Sequence, residues 1–298
     1  MPSEKWIYRT ASIAKRNLRL QDKAQENRIK LPLISDDARE TSDFIFSPIM
    51  PNGRVGDSGS LLLAKKKDNR KNQYLIKHAF CDCAVNEFVY TKLALAMNLK
   101  MPEAVLFKLS NGEKRKYFET EYILGTRYLD LKIESPTYAE ICAQAINWQD
   151  YFRFQALYDI FLEGDSFETP LSSDGYIYRV DASNAFPTSE RFLSQAGLNV
   201  NIDGQNVKES IKQRMLSYPF ENCWDHYNFD KAIEKYETRY GRECAKLYMD
   251  PFALVQDIPN DYIDDFLNTL CYFYPDFIGD FFKQFISALQ KKAKKVLK

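Results

Sequence analysis

"YRVDASNAFP", residues 178–187, continues the run Tyr176-Ile177 and ends it on a carboxylate, Asp181. Tyrosine, isoleucine and valine suit a pleated, half-buried surface, whereas aspartate is depleted in strands. The pattern predicts a buried strand that stops at Asp181, and the question is what a charge meets there.

Working outward, the chain before this stretch is β-rich. Residues 60–64 and 73–77 predict two strands joined by the solvated turn "KKKDNRKN" (65–72). Ahead of them "NGRVGDSGS" (52–60) carries Gly53, Gly56 and Gly59, where backbone amides can approach a phosphate closely, although the glycines alone favour an ordinary hairpin entry. "AVNEFVYTKLALAMNL" (84–99) places Val85, Phe88, Val89, Leu93, Ala96 and Met97 at helical spacing, with Asp82 as a cap and Glu87 beside the apolar stripe. A second hairpin follows, Val105 to Leu109 against Tyr117 to Ile123, with Asn111-Gly112 at the turn.

After about residue 135 the periodicity becomes helical. It is interrupted by the short β segment at 171–187 and is almost wholly helical from Val207. Two late stretches, "IPNDYIDDFLNTL" (258–270) and "DFIGDFFKQFISAL" (276–289), carry aromatic stripes that read as core, and the closing "KKAKKVLK" reads as a solvated tail. Residues 1–45 read as a polar leading helix or arm, 46–134 as a β-rich lobe with one helix, and 135–298 as a helical lobe.

Composition narrows the functional classes. With 41 basic and 41 acidic residues the formal net charge is zero, so no global field favours nucleic acid or an anionic membrane. No apolar run reaches the roughly 18 residues of a membrane helix, no leader is visible, and a cytoplasmic protein is expected. Six scattered cysteines fit reduced thiols. His78, Cys81 and Cys83 in "HAFCDC", and Cys223 with His226, lack the further ligands a zinc site needs, so no metal-binding cysteine cluster is expected.

A β-lobe followed by a helical lobe can clamp a nucleotide between its halves. Lys77 ends the strand "YLIK", Glu87 projects from the next helix, and Asp181 ends a segment of the second lobe. In phosphoryl transfer such a lysine holds phosphates, such a glutamate orients it, and such an aspartate carries magnesium. Spacing alone equally allows a surface ion pair and a turn cap.

"NEFVYTKLALAMNLKMPEAVLF" (86–107) resembles the helix-to-strand segment of the HipA-like kinases, and "VDASNAFP" (180–187) resembles their metal-binding segment, an aspartate followed four residues later by Ala-Phe-Pro. With "YLIK" and "IPNDYIDDFLNTL" the likeness runs from about residue 45 to the C-terminus. It implies an α+β, bilobal protein-kinase-like fold, ATP and Mg2+ as cofactors, and phosphorylation of serine or threonine on a protein, often in toxin–antitoxin settings. The implied partner is a protein substrate or a regulatory protein, with no direct nucleic-acid or membrane binding. Carried over residue by residue, Lys77 is the phosphate lysine, Glu87 its partner and Asp181 the magnesium ligand. Gly56, Ser58 and Gly59 belong to the phosphate loop, and residues 118–123, "FETEYI", match the adenine hinge through Glu119, Glu121 and Tyr122. Ser58 and Ser60 stand where family members phosphorylate themselves.

One segment departs from that pattern. In "EGDSFETPLSSDGYIYRVD" (163–181), Phe167 takes the place of the catalytic aspartate, Thr169 that of the histidine, and Ser172 that of the second metal-binding asparagine. Asp165, two residues early, is the remaining candidate base, with Glu168 or Asp174 as helpers. Three expectations follow: an atypical kinase using Asp165 with Asp181, a pseudokinase that binds nucleotide or a partner without transfer, or an interaction protein that takes no nucleotide.

Overall fold

The computed structural model describes residues 31, 38–49, 61–69, 73–77, 81–110, 112, 122–164, 166–186, 220, 223–225, 227–273 and 276–297, except for a few side chains within its elements. Gly56, Ser58, Gly59, Ser60, Glu119, Glu121 and Asp165 lie outside the described residues, as do the leading arm up to residue 30 and both histidines.

The N-terminal half forms a six-stranded sheet in the order β1-β5-β6-β4-β3-β2. Its strands are β1 (Ala38–Glu40), β2 (Phe44–Ile49), β3 (Leu61–Lys66), β4 (Gln73–Lys77), β5 (Ala104–Lys108) and β6 (Tyr122–Arg127). The β3–β4 hairpin pairs Leu61 with Lys77 and Lys65 with Gln73, close to the sequence expectation. Pro48 lies on β2, at the sheet's edge, where a missing N–H is tolerated. The sheet reaches back to Ala38, ahead of the expected boundary at residue 45, because β1 pairs in parallel with β5.

The period of two along β5 and β6 divides the sheet into two faces. Val105, Phe107 and Ile123 pack with Phe44, Leu62, Tyr74 and Ile76 on one side. Ala104, Leu106 and Leu124 join the larger core with α1 (Cys81–Ala96) on the other. Gly125 lies opposite Val105 on β5, where a Cβ would come within 2.5 Å of the Phe107 ring, so the position needs glycine for ring packing.

Helix α1 starts at Cys81, so Asp82 lies inside its first turn instead of capping it. The helix ends in a Schellman turn: Asn98 has φ +58°, Leu99 N–H donates to Ala94 O (3.0 Å), and Asn98 N–H donates to Leu95 O (2.9 Å). Buried Leu99 completes the turn and turns the chain towards β5.

The second half is helical: α2 (Tyr138–Gln144), α3 (Asp150–Ile160), α4 (Phe229–Tyr240), α5 (Arg242–Asp257), α6 (Asn260–Phe273) and α7 (Asp276–Val296). The expected single helical stretch at 138–165 divides at 145–149, and Thr137 with Glu140 builds a capping box at the start of α2. Tyr262, Ile263, Phe266, Leu267 and Leu270 on α6, and Phe281, Phe282, Phe285, Ile286 and Leu289 on α7, are all buried, as their periodicity predicts. The basic C-terminus is not a free tail: α7 continues through it to Val296, with Ala293 buried among its lysines.

Between the halves the chain leaves β6 after Arg127, and β7 (Leu131–Ile133) pairs with β8 (Leu171–Ser172). The expected strand into Asp181 is reduced to one bridge, Leu171 with Ile177. Beyond it Tyr178 N–H donates to Pro170 O and Arg179 N–H to Lys100 O, so the segment is held by irregular bonds rather than by a ladder. The described ladder of the expected second hairpin runs from Ala104–Lys108 to β6 (Tyr122–Arg127), and Asn111 and residues 117–121 lie outside the described residues.

Candidate nucleotide site between the lobes

The site is built where α1 meets the loop at 181–186. Asp181 is half-buried with φ +57°, and Phe186 has φ +66°. Aspartate tolerates the left-handed region, but for a phenylalanine it is a strained conformation that its surroundings must impose. They do: Phe186 is fully buried, its N–H donates to Phe161 O (2.6 Å), and its ring lies 5.0 Å from Phe282 and 5.2 Å from Phe285. A hydrogen bond from Gly164 N–H to Asn184 O (3.0 Å) ties the loop to the end of α3. Asp181 is thus presented from a loop pinned in the core of the C-lobe, and Ser183 Oγ donates to its Oδ1 at 3.1 Å.

Helix α1 contacts the same loop. Asn86 Nδ2 donates to Ser183 O (3.1 Å), and Tyr90, one turn on, packs its ring against Phe161 at 4.8 Å. Glu87 is buried next to Asn86. Lys77 closes β4, placed opposite Leu61 by the hairpin register. Asn86, the residue before Glu87 on α1, thus bonds the loop that carries Asp181. Of residues 118–123, the segment read as the hinge, 118–121 lie outside the described residues; Tyr122 opens β6, which runs to Arg127, and β7 begins at Leu131.

Two features escaped the sequence reading. Helix α3 ends in a second Schellman turn, with Leu162 at φ +55° and Glu163 N–H donating to Tyr158 O (3.0 Å), and this carries Glu163 inward. There Glu163 forms an ion pair with Arg179, both side chains almost wholly buried. The Arg179 guanidinium also donates to Glu168 O (3.0 Å) and Val180 O, clamping the 166–170 loop to the segment before Asp181. Burial pushes the Glu163 carboxyl upward while Arg179 pulls it down. A charge inside the apolar run "YIYRV" was the signal for this pair.

The second feature is Asp159 on α3, whose Oδ2 accepts from Tyr227 Oη (2.6 Å) and Tyr248 Oη (2.7 Å). Burial raises its pKa despite those donors. It braces α3 against α5 and the segment before α4.

The loop that should carry catalysis is packed instead. Phe167 lies against Tyr151 (5.6 Å), Tyr158 (5.9 Å) and the Arg179 guanidinium (5.3 Å). Thr169 is buried, and buried Ser172 donates its hydroxyl to Asp130 O (2.9 Å). Asp174 accepts from Tyr176 N–H and Tyr178 Oη, closing its own turn, while Glu168 accepts from Ser166 Oγ. Asp181 is a carboxylate of the kind magnesium takes, on a rigid loop; Ser172 is turned to a backbone carbonyl. No group of three or more histidine, cysteine, aspartate or glutamate side chains suited to a metal was found among the described residues.

No family model and no curated protein sequence matches the chain. Among solved structures it is similar to that of CtkA, a proinflammatory kinase of Helicobacter pylori, at 10% identity and a TM-score of 0.50, over 87% of this chain and 96% of that one. At that identity the likeness concerns the fold: a mixed α+β, bilobal kinase-like architecture. No helix among the described residues is long and apolar enough to cross a membrane.

Proposed function

We propose that this chain is a kinase-fold nucleotide-binding module of HipA-like type, a pseudokinase that takes ATP with Mg2+ between its lobes and acts on a protein partner without phosphoryl transfer. The observation that carries this reading is the packing of the loop at 166–172. An acceptor hydroxyl needs a base within hydrogen-bond reach, and Phe167 at that position is an aromatic ring between Tyr151, Tyr158 and Arg179. The position of the second metal ligand holds Ser172, buried and donating to Asp130 O. What remains is the binding half of the machinery: Lys77 on β4, Glu87 on α1 and Asp181 on its pinned loop.

In this reading Lys77 holds the α- and β-phosphates, Glu87 orients it, and Asp181 is the residue that would hold magnesium, which supplies charge neutralisation at the phosphates. Arg179 and Glu163 keep Asp181 in place. The experiment is thermal unfolding with and without ATP and Mg2+. At a hundredfold excess over Kd, binding adds about 2.7 kcal/mol to stability. No shift with wild type, or the same shift in Asp181→Asn with and without Mg2+, overturns the reading.

A second reading, an atypical protein serine/threonine kinase with Asp165 as base, keeps its support in the same retained residues, Lys77, Glu87 and Asp181. It predicts transfer of label from ATP to the protein itself or to proteins of a lysate, abolished by Asp165→Ala.

A further inference from the structure

Two residues, Ser183 and Asn86, link the candidate metal ligand to the helix of the phosphate-lysine partner. Ser183 Oγ donates to Asp181 Oδ1 at 3.1 Å, the main-chain oxygen of the same Ser183 accepts from Asn86 Nδ2 at 3.1 Å, and Asn86 precedes Glu87 on α1. Asn86 is 1% exposed, so its bond is shielded from water, where a hydrogen bond is electrostatically stronger. The loop it holds is anchored on its far side by Phe186 and by the Gly164–Asn184 bond. Tyr90 packs on Phe161 one turn further along α1 and holds the helix to the same part of the C-lobe.

We propose that Asn86 and Ser183 are positioning residues that couple the Asp181 carboxylate to α1, so that Mg2+ at Asp181 and the setting of Glu87 towards the nucleotide phosphates are one event. The inference rests on the nucleotide reading of this site. Ser183 fixes which way the carboxylate faces, and Asn86 fixes where the Ser183 backbone stands relative to α1. Were Mg2+ held at Asp181, it would supply charge there, and any change in the setting of the carboxylate would reach α1 through Ser183 and Asn86. Coupling of this kind is reciprocal: a shift of α1 changes Mg2+ affinity by the same factor.

The test uses the full chain and two readouts. The first is ATP affinity by calorimetry, with Mg2+ and with EDTA. Asn86→Ala and Ser183→Ala are each expected to lower the enhancement by Mg2+ about tenfold, the size of one hydrogen bond's net contribution. In an Asp181→Asn background neither substitution lowers it further. Equal losses with and without Mg2+ assign Asn86 a purely structural role and overturn the proposal.

The second readout is amide hydrogen exchange without nucleotide. Asn86→Ala is expected to speed exchange in residues 181–186 about tenfold while residues 150–160 of α3 stay as in wild type. Unchanged exchange in 181–186 overturns the mechanical link even if nucleotide binds. A wild type that binds ATP equally well with and without Mg2+ overturns the metal reading of Asp181, and the exchange result then decides the link separately. If Asn86→Ala fails to fold, Ser183→Ala, at a half-buried position, keeps the calorimetric arm open, and Asn86→Ser, too short to reach the Ser183 oxygen, keeps the exchange arm open.

Discussion

The Arg179 guanidinium lies 5.3 Å from the centre of the Phe167 ring, so the residue in the place of a catalytic aspartate is held by the side chain two positions ahead of Asp181. A carboxylate placed at 167 would meet that same guanidinium, already paired with Glu163. Phe167→Asp is therefore expected to lose aromatic packing, to cost about 1–3 kcal/mol, and to gain no phosphoryl transfer. Urea denaturation and labelled ATP check the two halves; transfer above the wild-type level would show that position 167 alone blocks the chemistry.

The Glu163–Arg179 pair is buried on both sides, and removing one partner leaves the other charged and desolvated. Glu163→Leu is expected to cost about 3–5 kcal/mol. The double variant Glu163→Leu with Arg179→Met should recover more than half of that loss, because an apolar pair leaves no orphaned charge. Denaturant midpoints of wild type, Glu163→Leu, Arg179→Met and the double variant measure this, and an additive double variant would show that the pair is not one unit.

Asp159 gives a pH dependence with a definite sign. Burial raises its folded-state pKa, and the donors Tyr227 and Tyr248 oppose that shift without cancelling it. The folded protein thus holds this proton more tightly than the unfolded chain. The stabilisation is complete below the unfolded carboxylate value and is lost as pH rises through the folded one. Asp159→Asn does not titrate, so its stability relative to wild type should rise as pH increases from the unfolded carboxylate value through the raised folded one. Parallel stability curves for the two proteins would contradict this.

At Gly125 on β6, a Cβ would stand 2.5 Å from a Phe107 ring carbon and 2.9 Å from Ile76 Cδ1. Both neighbours are fully buried, so neither moves without disturbing the core. Gly125→Ala is expected to cost about 1–3 kcal/mol through overpacking, measured as a lowered Tm. An unchanged Tm would mean that the Phe107 ring has room to turn.

What the sequence showed depended on the range of the interactions. The β3–β4 hairpin, α1, α6 and α7 were legible because local periodicity decides them. The end of α1 was less so: Asn98 terminates it through backbone conformation, and β1 joins β5 across more than sixty residues, a pairing no local pattern records. Glu87 and Asp181 were legible as single charges beside apolar runs. Their connection through Asn86 and Ser183 was not, since it depends on one backbone oxygen presented by a strained loop. The segment whose likeness to the family makes it the adenine hinge, "FETEYI", enters β6 at Tyr122, and its first four residues lie outside the described residues.

The most direct measurement is one calorimetric titration of the full chain with ATP in Mg2+, with nucleotide and protein recovered afterwards for analysis. The account predicts saturable binding at one site per chain, ATP recovered intact and no phosphate on the protein. Absence of binding, or ADP and phosphoprotein accumulating in wild type but not in Asp165→Ala, would contradict it.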